Sequence, residues 1–307
     1  MITISFSIIL SLLSVTSSEG NLAEKLGYPS DAKLLIIHGD DVGMCHAANE
    51  ATIKALEKGI VTCGSIMVPC PWFLEIAEYC REHPQADLGI HLTLTSEWRH
   101  YRWGPVSSID KVPGLVDEEG YLWHSVADVV KHATPEEVET EMRAQVQRAI
   151  DFGIKPTHID THMGTVYASP EFFKAYCKVA REFGIPPMII SLESDIAQQR
   201  LKNDPTMSSL LEMFDMLESE FPILDELATG VVSVELEQRR EEYKEVIRNL
   251  KPGVTQIIVH LGLDNPEMHT ITSSWLARYN DFQIFTDSEM KRFIEEQGVK
   301  LIGWRDF

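Results

Sequence analysis

Acidic and imidazole side chains follow several short apolar segments of the sequence, and each segment has the composition of a buried β-strand. They are His38, Asp40 and Asp41 after LLII, His91 in GIHLTLT, His158, Asp160 and His162 in PTHIDTH, and His260 in QIIVHLG. Burying a charged group is costly unless the charge is paired or bound to a metal. Carboxylates and imidazoles together suit a divalent ion such as Zn²⁺. The pattern favours a metal site built from strand ends.

Each of these segments also has a simpler interpretation when it is taken alone. A histidine in an apolar strand is commonly a hydrogen-bonded core residue. The pair Asp40–Asp41 could cap the helix that follows it, because aspartate is a good N-cap. His158, Asp160 and His162 alternate and so share one strand face, but they could form a structural polar cluster. The occurrence of all four segments at strand ends is what favours a metal site.

The elements that must position these residues alternate along the chain between strand-like and helix-like segments. HAANEATIKALEKG is typical of a helix that ends at Gly59, and TPEE at residues 134–137 predicts a capping box with proline in the first turn. Repeated βα units with short loops predict a parallel sheet that is covered on both faces. For 307 residues, we expect one α/β domain, a closed (β/α) TIM-like barrel. Its strand ends would bring these distant side chains together.

The first twenty residues differ in kind from the rest of the chain. MITISFSIILSLLSVTSSEG has no charged side chain before Glu19, and its apolar run is followed by small residues. These features predict a signal peptide at residues 1–20 and an exported protein, periplasmic or extracellular, with a domain at residues 21–307. No basic residue precedes the apolar run, and a buried first helix is the alternative. We expect no membrane span after signal removal.

The charge and cysteine content narrow the classes of partner. The net charge of −20, from 27 basic and 47 acidic side chains, argues against nucleic acid, which binds clustered lysine and arginine. It fits a neutral or cationic substrate. The five cysteines show no C-x-x-C spacing, and their odd number does not indicate a disulfide framework. The sequence leaves a homodimer open.

The order of the motifs is also familiar. DDVG at 40–43, GIHLTLT at 89–95, PTHIDTH at 156–162 and VHLG at 259–262 occur in the order of a DDFG-like turn, a G-x-H-x-x-LT strand, a THxDSH strand and a late HPG strand. The chain therefore resembles the YdjC/ChbG carbohydrate deacetylase family from residue 33 to about 304. None of the four motifs is specific alone, but together they are.

The resemblance implies a barrel-like fold related to the polysaccharide deacetylases, and removal of acetyl groups from N-acetylated sugars such as chitooligosaccharides with one divalent ion, Zn²⁺ or Mg²⁺. The implied roles are metal binding by Asp41, His91 and His162, general base catalysis by Asp40, and general acid catalysis by His260. His158 and Asp160 would orient the ligands from behind. The chain departs from the family at His38–Gly39, where Asn-Ala is common, at MGTVY after His162, and at HLG in place of HPG.

Aromatic residues follow the strand of His91. Trp98, Tyr101 and Trp103 could stack on sugar rings, or they could pack on one another within their loop. Two other functions stay open. One is a metal-dependent hydrolase for another substrate, such as a hopanoid-linked glycan or a phosphoester, although no glycine-rich phosphate loop or arginine cluster is apparent. The other is a sugar-binding protein that has kept the cleft without catalysis, because function depends on the site and not on the fold.

Overall fold

The computed structural model describes residues 21–203 and 217–307. The predicted signal peptide, residues 1–20, lies outside these ranges. Within them, no helix is both long enough and apolar enough to cross a bilayer.

Strands and helices alternate along most of the described chain, as the sequence predicts. The strands are β1 Lys33–Val42, β2 Cys63–Ile66, β3 Leu88–Leu92, β4 Ile159–Thr161, β5 Ile189–Ile190, β6 Ile223–Leu224, β7 Glu226–Ala228, β8 Gly253–His260 and β9 Lys300–Leu301. The helices are α1 Leu22–Lys25, α2 His46–Lys58, α3 Phe73–Glu82, α4 Val126–His132, α5 Pro135–Asp151, α6 Pro170–Phe183, α7 Asp195–Asn203, α8 Leu236–Arg248, α9 Pro266–Ile271, α10 Trp275–Thr286 and α11 Ser288–Glu296.

One parallel sheet of seven strands carries most of the fold. Its hydrogen-bonded neighbours follow the order β4-β3-β2-β1-β8-β7, and β9 pairs with the first residues of β1. The sheet curls into an open half-barrel with helices around it. Nine of the ten residues of β1 are buried, as expected for a central strand of a sheet that is covered on both faces.

The parallel α/β architecture is confirmed, but the closed barrel is not. β5 and β6 pair with each other as a separate two-stranded sheet. A single isolated bridge, Ile159–Pro187, lies between this pair and the large sheet at β4. At this bridge the N–H of Ile159 donates to the carbonyl of Pro186, and the N–H of Met188 donates to the carbonyl of Ile159. The ladder does not continue from this bridge into β5, so the large sheet ends at β4 on this side.

The helices begin and end close to the predicted residues. The side chain of Thr134 accepts a hydrogen bond from the backbone N–H of Glu137, and Glu137 accepts one from Thr134, so the capping box at the start of α5 is present. Gly59 follows the last residue of α2. These helices hold the sheet so that residues from distant motifs meet at its C-terminal edge. In the strand register, Asp40 lies opposite His260 and His91 lies opposite Asp160.

Candidate metal centre

Three side chains from β1, β3 and the end of β4 form a compact buried triangle. Asp41 Oδ1 lies 3.2 Å from His162 Nδ1 and 3.5 Å from His91 Nε2. The two imidazole nitrogens, His162 Nδ1 and His91 Nε2, are 3.3 Å apart. All three residues are at most 5% exposed. The structure thus brings together the three residues predicted to bind metal.

This triangle fits a divalent ion in two ways. A tetrahedral ion with ligands at about 2.0–2.1 Å separates neighbouring ligand atoms by roughly 3.3 Å, close to the observed distances. Asp41 Oδ1 is also buried without a hydrogen bond of good geometry, whereas buried carboxylate oxygens normally have a partner. Two imidazoles and one carboxylate suit Zn²⁺ better than Mg²⁺, which prefers oxygen ligands.

Two further groups of acidic and imidazole side chains lie next to the triangle. They are His38 with His158 and Asp160, and Asp40 with His91 and Asp160. Within them His38 Nε2 and His158 Nε2 are 2.7 Å apart, and His91 Nδ1 and Asp160 Oδ1 are 2.8 Å apart. Such separations are those of hydrogen bonds and are shorter than the spacing of ligands around one ion. The contacts within the two groups are therefore hydrogen bonds that surround the triangle, and not the ligand spacing of a second ion.

The end of β1 has an irregular backbone that aims both aspartates at the same place. The pairing of β1 with β2 shifts register between Gly39 and Val42, and Asp41 has a φ of 62°. Aspartate tolerates this left-handed conformation better than most residues. Neighbouring residues of a regular strand would point to opposite faces. Here Asp40 Oδ2 lies 3.7 Å and Asp41 Oδ1 3.5 Å from the same atom, His91 Nε2.

An arginine from α10 pairs with the second oxygen of Asp41. Arg278 Nη2 donates a hydrogen bond of 2.6 Å to Asp41 Oδ2, and Arg278 is 6% exposed. Burial alone would raise the pKa of Asp41, but Arg278 and the two histidines outweigh it and hold that pKa well below its ordinary value. Asp41 is thus ionised, with one oxygen held by Arg278 and the other free to bind a cation.

Each histidine of the triangle is fixed by a carboxylate on its other nitrogen. His162 Nε2 lies 3.0 Å from Glu97 Oε2, and His91 Nδ1 lies 2.8 Å from Asp160 Oδ1. Burial lowers the pKa of His162, but the carboxylates of Asp41 and Glu97, one beside each ring nitrogen, outweigh burial and raise that pKa to about 9. Ser65 Oγ donates to Asp160 Oδ2 at 3.0 Å and so holds that carboxylate in turn. These carboxylates direct His162 Nδ1 and His91 Nε2 toward Asp41.

The two residues predicted to orient the ligands differ in position. Asp160 contacts His91 directly, as expected of an orienting residue. The hydrogen-bond partners of His158 are instead His38 and Thr157, at 2.7 and 3.0 Å. His158 therefore lies one step further from the triangle than Asp160 does.

His260 lies at the mouth of the site. Its Nε2 atom is 4.0 Å from Asp41 Oδ2, and its side chain is 43% exposed, whereas Asp40 and Asp41 are almost fully buried. The backbone N–H of His260 donates to Asp281 Oδ2 at 3.2 Å. Asp281 also accepts hydrogen bonds from Arg239 and Tyr243, which fixes the end of β8. His260 is thus the member of the predicted catalytic pair that can meet a molecule arriving from solvent.

The three aromatic residues predicted to stack on sugar occupy different environments. Trp103 is 3% exposed and donates from Nε1 to the carbonyl of Thr95, so this side chain follows the alternative interpretation, packing within its own loop, and does not stack on sugar. Trp98 and Tyr101 are partly buried against the core. The guanidinium of Arg278 lies 5.8 Å from the centre of the Trp98 ring, which places Trp98 beside the triangle.

Comparison with known proteins agrees with this arrangement. The family described as YdjC-like protein matches residues 34–296, which include the triangle, Asp40 and His260. The chain belongs to the YdjC-like family.

Relatives of this YdjC-like chain extend over nearly its whole length. A protein of Thermus thermophilus named carbohydrate deacetylase is 32% identical over 90% of this chain and 94% of its own length. One of the same name from Brevibacillus brevis is 28% identical over 89% of this chain and 98% of its own. A crystal structure from Enterococcus faecalis, provisionally described as a cellobiose-phosphate cleavage protein, has 26% identity and a TM-score of 0.73 over 89% of this chain and 98% of its own.

Two residues of the YdjC-like site were not predicted from sequence. Glu97 follows the strand of His91 by five residues, and an acidic side chain just after a metal-binding strand was a usable signal. Arg278 lies in α10, whose sequence contains no motif that points to the site. Its partner Asp41 is 237 residues away in the chain, so only the fold reveals the pair.

The carboxylate behind His162 gives a first testable prediction. We expect Glu97→Gln to weaken metal affinity about 10–100-fold, because a neutral amide orients and polarises the imidazole less than a carboxylate does. Affinity is measured by competition with a chromophoric chelator. Glu118→Gln is the matched control, since Glu118 is an exposed glutamate of the neighbouring loop. Equal affinity in the two variants would show that Glu97 does not support the metal centre.

Proposed function

We propose that this chain is a metal-dependent carbohydrate deacetylase that hydrolyses the acetamide of N-acetylated sugars of the chitooligosaccharide type. The observation that carries the proposal is the unpaired Asp41 Oδ1, which shares a buried triangle with His91 Nε2 and His162 Nδ1 beside the second carboxylate, Asp40. The names of the relatives support the same reaction. The acidic chain also suits a neutral sugar better than a phosphoester.

The triangle would hold the ion, and the side chains around it would move the protons. When bound, a divalent ion polarises the acetyl carbonyl and lowers the pKa of water. Asp40 takes the proton from the attacking water, which forms the new carbon–oxygen bond. Its carboxylate suits this role because Oδ1 is held by His38 at 2.7 Å while Oδ2 lies 3.7 Å from His91 Nε2, at the edge of the triangle.

His260 completes the hydrolysis on the side of the leaving group. It gives a proton to the sugar nitrogen as the carbon–nitrogen bond breaks, and acetate and the free amino sugar result. The exposure of its side chain and its distance of 4.0 Å from Asp41 Oδ2 support this role. Leu261, which stands where the family commonly has proline, is buried, and Asp281 holds the backbone of His260.

The role of His260 predicts a dependence on the leaving group. We expect His260→Gln to lower kcat for an N-acetylated sugar about 10²–10⁴-fold, because the amine must be protonated as it leaves. The loss should be much smaller for an acetate ester of a nitrophenol, whose leaving group needs no proton. Both rates are measured by acetate release, with His132→Gln, an exposed histidine of α4, as control. Equal losses on both substrates would contradict the acid role.

The proposed function is tested by joint measurement of metal content and acetate release. The purified protein is expected to contain close to one equivalent of a divalent ion and to release acetate from some member of a chitooligosaccharide panel. Metal without acetate release would indicate another substrate, such as a phosphoester or a different acyl group. Binding of sugar without metal or turnover would indicate a non-catalytic sugar-binding protein.

We also propose that residues 1–20 direct export and are then removed. In support, the apolar run of residues 1–20 has no charged side chain before Glu19, and the first described helix begins just after it, at Leu22. N-terminal sequencing of the protein recovered outside the cytoplasm checks this, since an intact Met1 there would contradict it. A homodimer stays a prediction, to be checked by light scattering.

A further inference from the structure

A continuous chain of hydrogen bonds runs from Asp40 through the interior of the sheet to its opposite end. Asp40 Oδ1 lies 2.7 Å from His38 Nδ1, and His38 Nε2 lies 2.7 Å from His158 Nε2. His158 Nδ1 lies 3.0 Å from Thr157 Oγ1, which donates at 2.5 Å to Asp87 Oδ1. Asp40, His38, His158 and Asp87 are each at most 7% exposed. The proposed mechanism uses only the first member of this chain.

The donor and the acceptor of each hydrogen bond in the chain can be assigned by starting from Asp87, at the end away from Asp40. Asp87 also accepts from the backbone N–H of Arg305, and as a carboxylate it can only accept, so Thr157 donates its proton to Asp87. Thr157 Oγ1 must then accept from His158 Nδ1–H. His158 therefore presents the lone pair of Nε2 to His38, which must donate from its own Nε2.

Both ring nitrogens of His38 must therefore donate a hydrogen bond. Its Nε2–H points to His158, and its Nδ1 faces the carboxylate of Asp40, which again can only accept. We infer that His38 is a buried imidazolium that positions the carboxylate of Asp40, and that the chain His158–Thr157–Asp87 fixes the direction of both of its hydrogen bonds.

The surroundings of His38 are consistent with a positive charge. Asp160 Oδ2 lies 3.5 Å from His38 Nε2, so carboxylates approach the ring at both nitrogens. Burial lowers the pKa of His38, but Asp40 and Asp160 outweigh burial and raise it, whereas burial and the neighbouring His38 hold the pKa of His158 well below its ordinary value. The titratable groups around His38 are Asp40 of β1, Cys63 of β2, His91 of β3, Asp160 of β4, His158 just before β4 and Asp87 just before β3. β8 places the apolar Ile258 opposite His38.

Trp304 and the backbone at Gly89 both lie close against the ring of His158, which keeps the hydrogen-bond chain aligned. The Trp304 ring stacks on it, with centroids 4.8 Å apart and an angle of 15° between the planes. On β3, a Cβ atom at Gly89 would lie 2.6 Å from His158 Cε1 and 2.7 Å from Nδ1. A residue larger than glycine at position 89 would displace the ring of His158, so Gly89 is needed for the alignment of the hydrogen-bond chain.

The first test measures protonation and needs no substrate. In ¹⁵N-histidine-labelled protein at pH 8, the spectrum should contain an imidazole with both nitrogens protonated whose signals disappear in His38→Asn, which assigns them to His38. Thr157→Val keeps the size of residue 157 but removes the hydroxyl that fixes His158, so the signals of His158 should move in that variant. A neutral His38 with an unprotonated Nδ1 at this pH would overturn the inference.

The second test, which rests on the proposed function, separates positioning from structure by a graded pair of variants. His38→Ala removes both donors and should lower kcat about 100-fold, because a misplaced catalytic group loses rate on this scale. His38→Asn keeps one donor toward Asp40 and should recover at least about tenfold of that loss, since the charge strengthens but does not create this hydrogen bond. KM and metal content should stay within twofold of the wild type in both variants.

A control variant and the wild-type protein distinguish failure of the positioning role of His38 from failure of the proposed deacetylase function. His132→Asn, an exposed histidine of α4, should leave kcat unchanged. A kcat within twofold of wild type in His38→Ala would overturn the positioning role. If His38→Ala and His38→Asn lose the same amount of kcat and both contain less metal, His38 has a purely structural role and the positioning role is overturned. If the wild-type protein releases no acetate at all, the proposed function fails, while the ¹⁵N measurement still decides the state of His38.

Discussion

Asp41→Asn is expected to abolish both metal binding and acetate release. The amide oxygen is neutral and a far weaker ligand than a carboxylate. Loss of a residue that only supports a ligand lowers metal affinity by up to about 100-fold, so loss of the ligand itself should lower it by more. Asparagine is the appropriate substitution because it also tolerates the left-handed backbone at this position. Metal content by atomic spectroscopy and acetate release measure the two effects.

A second variant separates the loss of the ligand from a loss of stability. Asp41→Asn leaves Arg278 buried beside a neutral group, and breaking such a pair commonly costs about 3–5 kcal/mol of unfolding free energy. Adding Arg278→Met should restore most of that stability, because an apolar side chain of similar size needs no partner. The double variant should fold and still lack metal. Wild-type metal affinity in Asp41→Asn would remove Asp41 from the ligand set.

Asp40→Asn is expected to keep the metal and lose turnover. Asparagine retains an oxygen that accepts the hydrogen bond from His38, but its amide cannot take a proton from water. We expect kcat to fall about 10²–10⁴-fold, the usual contribution of a positioned general base. Metal content should match the wild type because Asp40 is not a member of the triangle.

Asp110→Asn is the matched control, since Asp110 is exposed in a short 3₁₀ turn. Thermal unfolding of both variants checks that they remain folded. Full activity of Asp40→Asn would exclude Asp40 as the base, and loss of metal from it would assign Asp40 a ligand role instead.

The regular elements could be predicted because local signals and the final fold agree. The end of α2 at Lys58 follows from Gly59, and the start of α5 follows from the TPEE capping box. The closed barrel could not be predicted reliably, because closure depends on hydrogen bonds between β4 and the short β5. The sequence shows Pro186 and Pro187, but it does not show how many backbone hydrogen bonds the residues next to them make with β4.

The convergence of the acidic and imidazole side chains could be predicted because strand ends of a parallel sheet share one edge. The choice of Asp41, His91 and His162 among them came from the resemblance to the YdjC/ChbG family, and the structure places these three together. Glu97 lies in a loop and Arg278 lies in a helix. The hydrogen-bond chain behind His38 leads to Asp87, at the opposite end of the sheet. Their contacts depend on side-chain reach and packing, which no spacing rule describes. Burial also decides between the two interpretations of Trp103 that the sequence leaves open, since this side chain packs inside its loop.

The position of β1 in the sheet has a consequence for how the protein folds. β1 carries Asp40 and Asp41 near the start of the described chain, but it pairs with β8 and β9, which end at residues 260 and 301. Arg278, the partner of Asp41, also comes late. During synthesis, β2 follows β1 closely, but β8 and β9 exist only when nearly the whole chain has been made. Such long-range pairing slows folding, and Arg278 can pair with Asp41 only near its end.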